Sequence, residues 1–200
     1  MKTVRYIFQV ILLVAILVLV YFIYTGVMKP INFDKDKQAK YEQVIQRLKE
    51  IRTAQVAYRS IYGKYTGSFD TLIHFVRTDS FPVEYAEGSL DDSLAVAMGL
   101  IVRMTYYVPV KDSLFPSGYP IDSIRYIPGT SGIPFNLQAG TIETASKVVV
   151  QVFEAGALNF DILKGLDRQL IVNLNDKMKA FPGVRVGNIQ EANNNAGNWE

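Results

Sequence analysis

The sequence contains no cysteine and a single histidine in 200 residues. Without cysteine there can be no disulfide bond, no thiolate metal site and no thiol nucleophile. A catalytic triad or an imidazole metal site would have to rely on His74 alone, which lies between Ile73 and Phe75 in a short amphipathic segment. We therefore interpret His74 as an ordinary surface or boundary residue and predict no catalytic residue.

The sequence also lacks a strong excess of positive or negative charge and the glycine motifs that bind phosphate groups. The chain carries 21 Lys and Arg residues against 19 Asp and Glu residues, a formal net charge of +2. Because nucleic-acid binding depends on a strongly basic surface, we expect no nucleic-acid partner. Neither G-x-G-x-x-G nor G-x-x-x-x-G-K-[ST] occurs in the sequence, so we expect no nucleotide and no other cofactor.

Two further patterns fall short of the motifs that they suggest. Residues 129–132 begin like a nucleophile elbow, but isoleucine stands where G-x-S-x-G requires its second glycine, which indicates a simple Pro/Gly turn. The carboxylates of Glu84, Glu87, Asp91 and Asp92 lack the alternating spacing and central glycine of a calcium loop. We therefore predict no metal site.

What the sequence does have is one long apolar run. Residues 6–24 carry no charge and one strongly polar side chain, Gln9, and a helix of that length rises about 28 Å, close to the thickness of a hydrocarbon core. The run ends in aromatic residues, where a signal peptide would have small ones. We predict a retained membrane anchor rather than a cleaved signal peptide. Its predicted membrane-contacting aromatic residues are Tyr6, Tyr21, Phe22 and Tyr24.

The basic residues on the two sides of the apolar run bear on the orientation of this anchor. Lys2 and Arg5 precede the apolar run, while four lysines follow it between residues 29 and 40, so the count of basic residues is ambiguous. A basic tip directly before an apolar run is the arrangement of a signal-anchor. We therefore expect a single-pass protein of the inner (cytoplasmic) membrane with its domain on the periplasmic or outer side.

The rest of the chain has the length of one domain. We predict a transmembrane anchor with a short basic N-terminus at residues 1–28, a hinge at 29–33, a soluble α+β domain at 34–190 and a flexible tail at 191–200. Gly26 and Pro30 predict the hinge because both residues disfavour helix. The asparagine-rich composition of the last ten residues predicts the tail.

A second, amphipathic helix is predicted from Asp34, a competent N-cap, to Tyr62. Its apolar positions alternate at spacings of three and four, the seam of a heptad repeat that also contains Gln55. The candidate partner-binding residues on this seam are Tyr41, Val44, Leu48, Ile51, Tyr58 and Tyr62. Two interpretations stay open. The seam packs on this chain's own sheet, or it associates with another protein subunit or a second copy through the 34–62 helix.

The remaining segments predict an antiparallel sheet with a C-terminal helix packed on it. Ser68 is predicted to cap a short helix at 69–76, and residues 78–93 are predicted to form a loop. The predicted strands are 100–110, 123–127, 135–142 and 147–153, the last two joined as a hairpin, and Val184 and Val186 form a further short strand. The C-terminal helix is predicted at 166–180.

Residues 51–66, IRTAQVAYRSIYGKYT, lie between a hydrophobic N-terminal helix and a short helix with Leu72. This arrangement resembles type IV pilins and type II secretion pseudopilins, in which an alanine- and tyrosine-bearing helix ends in a Gly-Lys/Arg-Tyr turn. Residues 1–24 have neither the glycine nor the glutamate of those families' peptidase site, so the resemblance does not extend to processing. The segment from Phe181 to Trp199 also resembles uncharacterised single-pass membrane proteins of Bacteroidota.

Two functions from different classes follow. The first is a non-enzymatic, pilin-like structural or assembly subunit of a bacterial envelope complex, which the resemblance and the heptad seam favour. The second is a membrane-anchored sensing or ligand-binding domain that uses the Pro/Gly loops between Pro109 and Pro134, with Tyr119, Tyr126 and Phe135 as a recognition surface. An enzyme is the least favoured class.

Overall fold

The computed structural model describes residues 2–87, 102–178 and 180–200. Its fold is α+β, with one long N-terminal helix, several short helices and two small antiparallel sheets. The helices are α1 (Lys2–Tyr62), α2 (Phe69–Thr78), α3 (Val110–Leu114), α4 (Asn159–Ile162) and α5 (Arg168–Lys177), with a 3₁₀ turn at Ile121–Arg125. The strands are β1 (Ser80–Glu87), β2 (Val102–Pro109), β3 (Asn136–Glu143), β4 (Val149–Leu158) and β5 (Gly183–Gly187).

Helix α1 is a single element of 61 residues, and the predicted hinge at 29–33 is wrong. Pro30 lies inside the helix, where it removes one N–H donor and places its ring toward the carbonyl of residue 26. That residue is Gly26, around which a Cβ would find nothing within 4 Å. Helical segments on both sides of Pro30 hold the backbone of the junction in helical form.

The two halves of α1, residues 2–32 and 33–62, have opposite surroundings. Every described side chain from Val4 to Tyr24 is exposed, whereas Phe33 is the first buried residue and Val44, Leu48 and Ile51 are wholly buried. The second half runs along β5 and β4 and also contacts α2, α3, α4 and the 3₁₀ turn. It is therefore the central element of the domain's core.

The two sheets match part of the predicted strand set. β3, β4 and β5 form an antiparallel sheet in the order β3-β4-β5, and β3 and β4 form the predicted hairpin, with Asn136 opposite Gly156. β5 confirms the predicted short strand around Val184 and Val186. The predicted strand at 100–110 is confirmed as β2 over Val102–Pro109, while its first two positions lie outside the described residues.

Two segments differ from their predicted secondary structure. Residues 80–87, predicted as a loop, form β1, which pairs along its whole length with β2; residues 88–93 of that loop lie outside the described part of the chain. Residues 123–127, predicted as a strand, belong largely to the 3₁₀ turn, because Ile121 and Ile124 both face the core. A spacing of three residues suits a 3₁₀ helix and not the two-residue period of a strand.

The C-terminal part of the chain also needs correction. Helix α5 is shorter than predicted, begins where Asp167 accepts hydrogen bonds from the backbone N–H groups of Gln169 and Leu170, and contacts α4. The predicted flexible tail at 191–200 is instead folded against the domain. The backbone N–H of Gly187 donates to the carbonyl of Ala196 at 3.0 Å, and Trp199 packs on the core.

Candidate functional site

The candidate partner-binding residues of α1 mostly face the chain's own core. Val44, Leu48 and Ile51 have no exposed surface, and Tyr58 is 7% exposed. Their surface is therefore covered by the domain to which they belong, and the interpretation of this seam as an intermolecular surface is corrected. Of the six candidates, only Tyr62 is largely exposed, and its hydroxyl donates to Asp79 at 2.6 Å.

Gln55, the polar residue of the same seam, explains how α1 holds the turn that follows it. Its side-chain Nε2 donates to the carbonyl oxygen of Thr66 at 2.6 Å, and its Oε1 accepts from the backbone N–H of Thr66 at 3.1 Å. The amide thus pairs with a backbone unit as a neighbouring strand would. Because both groups are buried, this pair fixes the path of residues 63–66 without leaving an unsatisfied polar atom.

Tyr41 joins α1 to the C-terminal helices. Its half-buried hydroxyl donates to the Oδ1 of Asn159, whose Nδ2 donates to Asn175 Oδ1 at 2.7 Å and to Met178 Sδ at 3.2 Å. Burial is the main reason that the pKa of Tyr41 rises to about 12. This network is a structural joint between α1, α4 and the end of α5.

The first half of α1 carries the predicted membrane-contacting residues on its open surface. Tyr6, Tyr21, Phe22 and Tyr24 are each between 63% and 67% exposed. Helix α1 is long and apolar enough to cross a membrane, and none of its most apolar stretch is buried. This apolar helix is consistent with a membrane anchor. A signal sequence near an N-terminus shares this length and composition.

The aromatic residues predicted as a recognition surface for a ligand are largely used inside the fold. Phe135 is 4% exposed. Tyr119 stacks on Phe115 at a centroid distance of 4.8 Å and donates its hydroxyl to Glu50, and burial together with that carboxylate raises the pKa of Tyr119. Only Tyr126, at 40%, is substantially exposed. The loops between Pro109 and Pro134 thus pack against α1, and the predicted surface is corrected.

The exposed surface that the sequence did not indicate is the ribbon β1–β2. In its register Val83 lies opposite Tyr106 and Tyr85 opposite Met104, so these four side chains share one face. Exposure is 44% for Tyr85, 58% for Met104 and 50% for Tyr106, and Tyr107 on the other face reaches 70%. The alternation of Phe81, Val83 and Tyr85 is the signal that would have identified β1.

A groove of about 650 Å³ runs along the solvent side of α1. Arg52, Val56 and Arg59 line it from the helix, and Phe81 and Asn195 line it from neighbouring segments. Arg52 bonds Glu200 at 2.7 Å and the carbonyl of Asn195 at 3.3 Å, and the pKa of the Glu200 carboxyl is lowered chiefly by this bond with Arg52. Arg52 is thus engaged with the C-terminal segment, while Arg59 lies over the ring of Tyr65 and donates to its hydroxyl at 3.1 Å.

His74 is exposed, as expected for a surface residue, and lies beside two ion pairs, Arg77 with Asp122 and Arg125 with Asp70. Within the described residues no group of three or more His, Asp or Glu side chains is placed to hold a metal ion.

Comparisons of the chain with models of protein families, with curated proteins and with solved structures found no match in any of the three.

Proposed function

We propose that this chain is a non-enzymatic, membrane-anchored structural or assembly subunit of a bacterial envelope complex, with a pilin-like organisation. The observation that supports the proposal is the continuity of α1 over Lys2–Tyr62. The same helix offers an exposed apolar surface in its first half and forms the centre of the domain in its second half. The domain is therefore held by a helical rod and not by a flexible tether.

A rod of this kind suits assembly better than sensing. An assembly subunit must hold its surfaces at a set height and angle from the membrane, whereas a ligand-binding domain works equally well on a flexible linker. In this proposal residues 1–28 are retained as the anchor, the domain faces the periplasmic side of the inner membrane, and the ribbon β1–β2 contacts another subunit. The exposed aromatic residues of the ribbon support that choice of surface.

Site-specific photo-crosslinking of the full chain in bacterial membranes tests this proposal. A photoreactive residue replaces Tyr107 on the ribbon, and the matched control replaces Val149, which is 65% exposed on β4. We expect a discrete crosslinked product with an envelope protein from position 107 and none from position 149. Equal products from both positions, or none from either, would contradict the ribbon as the contact surface.

A second variant tests the rod itself. Four residues, Gly-Ser-Gly-Ser, are inserted between Ile31 and Asn32, just before the first buried residue Phe33. We expect the domain to stay folded and membrane-bound while the crosslink from position 107 is lost, because the insertion breaks the helix outside the core. If the crosslink survives the insertion, the rigid connection plays no part in assembly. If alkaline carbonate extracts the unmodified chain from membranes, the anchor is excluded.

A further inference from the structure

Apart from the tyrosines near its two ends, Gln9 is the one polar side chain of the apolar run. It carries the amide of an exposed residue, and in the part of the chain that the structure describes it has no hydrogen-bond partner. Thr25, near the other end of the run, is different because its hydroxyl donates to the carbonyls of Tyr21 at 3.0 Å and Phe22 at 3.2 Å. The helix therefore satisfies Thr25 internally but leaves Gln9 open.

This difference matters in a membrane, where no water is present to replace a missing partner. A glutamine amide offers donors and an acceptor, so it is best satisfied by a group that offers both. A second Gln9 does so. Copies that insert in the same orientation place Gln9 at the same depth, roughly one helical turn beyond Tyr6, and this equality of depth selects a parallel second copy as the partner.

The residues on the Gln9 side of the helix fit such a pair. Positions spaced alternately by three and four from Gln9 are Leu12, Ile16, Leu19, Ile23 and Gly26. Isoleucine at one heptad position and leucine at the other is the pattern of parallel two-stranded coils, in which a single polar residue at the isoleucine position sets the register. Gly26 has nothing within 4 Å of its Cβ position and allows close approach of two backbones.

The parts of the chain that the structure describes leave this surface uncovered. Leu12, Ile16, Leu19 and Ile23 are between 52% and 61% exposed, and all of them precede Phe33, where the domain begins to cover α1. The bulky rings of Tyr21, Phe22 and Tyr24 fall outside this face. No described residue of the domain therefore occupies the place of a second helix.

We propose that two copies of the chain pair in parallel through the face Gln9, Leu12, Ile16, Leu19, Ile23 and Gly26, with hydrogen bonds between their Gln9 amides. This inference rests on the proposed membrane anchor. In this proposal the chain self-associates through the exposed first half of α1 and not through the buried seam of its second half.

The test uses the full chain in phosphatidylcholine vesicles, labelled with a donor or an acceptor dye on the domain. Energy transfer is measured against the ratio of protein to lipid. We expect pairing by the unmodified chain and about a tenfold weaker association for Gln9→Leu, the scale of one interhelical hydrogen bond in a membrane. Gln9→Asn should retain part of the association, since it keeps the amide.

Matched controls separate the face from general effects of substitution. Leu19→Ala should weaken pairing, whereas Leu17→Ala removes the same atoms from nearly the opposite side of the helix and should not. Thr25→Val should also leave pairing unchanged, because Thr25 bonds within its own helix. Equal effects of Leu19→Ala and Leu17→Ala would overturn the assigned face.

Other outcomes are equally decisive. If Gln9→Leu pairs as the unmodified chain does, the amide reaches the headgroups and the proposal is wrong. Energy transfer that fits three or more copies would overturn a two-helix pair. Flotation of the vesicles is measured first, so a chain that fails to float refutes the anchor, and a chain that floats without transfer refutes only the pairing.

Discussion

The two halves of α1 are both rich in apolar residues, yet one is buried and the other is not. Between Val4 and Tyr24, apolar residues surround the helix on all sides and each large one is about half exposed or more. In the second half they occupy one side, where Val44, Leu48 and Ile51 are wholly buried. A helix that is apolar all round suits a lipid environment, while an apolar stripe suits a protein core. The distribution of apolar residues, more than their number, separates anchor from core.

The largest test of this comparison removes side chains from the buried stripe. Each of Leu48→Ala and Ile51→Ala should cost about 2 to 5 kcal/mol of the free energy of unfolding, since each leaves a cavity in a packed site. The double variant of the full chain in detergent micelles should therefore lose most of its domain stability, measured by thermal denaturation.

The matched controls for that double variant lie on the same helix. Val56→Ala changes a residue that is 47% exposed, and Leu17→Ala changes one in the first half that is 60% exposed. Both should shift the free energy of unfolding by less than about 0.5 kcal/mol. If Leu48→Ala with Ile51→Ala proves as harmless as these, the stripe does not pack on the domain.

A smaller effect is expected from the buried polar pair within the stripe. Gln55→Leu keeps the size of the side chain but leaves the N–H and C=O of Thr66 without their partner, which typically costs about 1 to 3 kcal/mol for each buried group. Gln46→Leu, at an exposed position of the same helix, is the control. Equal unfolding temperatures for the two variants would show that the Gln55 pair is replaced by water.

Sequence patterns predicted correctly those helix boundaries that are set by nearby residues, such as a glycine or a capping side chain. The end of α1 before Gly63 was predicted correctly, because Gly63 has a φ of +72° that favours glycine. The predicted N-cap of α2 at Ser68 is also confirmed, because the Ser68 side chain accepts a hydrogen bond from the backbone N–H of Thr71. The sequence analysis did not predict β1, because Pro82 and Glu84 are unfavourable in strands. This strand is stabilised by its pairing with β2, which lies further along the chain. The hinge was wrongly predicted because Pro30 is judged locally as a helix breaker, while the segments on both sides decide its conformation.

Whether the candidate site residues are exposed or buried depends even more on the tertiary structure. The periodicity of apolar residues identified the stripe of α1 correctly. The same periodicity is found in a stripe that packs on a partner and in one that packs on its own domain. Only the burial of Val44, Leu48 and Ile51 separates the two. Tyr119 likewise looked like an exposed loop aromatic, whereas its hydroxyl reaches Glu50, a contact between residues far apart in sequence.

Ionisation of Tyr41 provides a test of the buried half of α1 at high pH. The pKa of Tyr41 is raised to about 12, above the ordinary value near 10, so its contribution to stability is complete below pH 10 and is lost as the pH rises toward 12. Domain stability should fall over this window. Tyr41→Phe should weaken that fall, measured by thermal denaturation at several pH values, and Tyr126→Phe at an exposed position serves as the control. An unchanged pH dependence in Tyr41→Phe would exclude Tyr41 as a source.

The smallest effect on the free energy of unfolding of the domain is expected at the junction of the two halves. Pro30→Ala restores an N–H donor to the carbonyl of Gly26 and removes the ring, so the helix should gain local stability, on the order of 3 kcal/mol in an isolated helix interior. The junction precedes Phe33, the first residue that the domain buries, so the free energy of unfolding of the domain should change by less than about 0.5 kcal/mol. Amide hydrogen exchange of the full chain in micelles measures both at once. Slower exchange confined to the residues around position 30 would show that the two halves meet at a joint that is helical but locally weaker than either. Slower exchange throughout the domain would instead show that the halves unfold together, and the division of α1 into an anchor and a core would have to be given up.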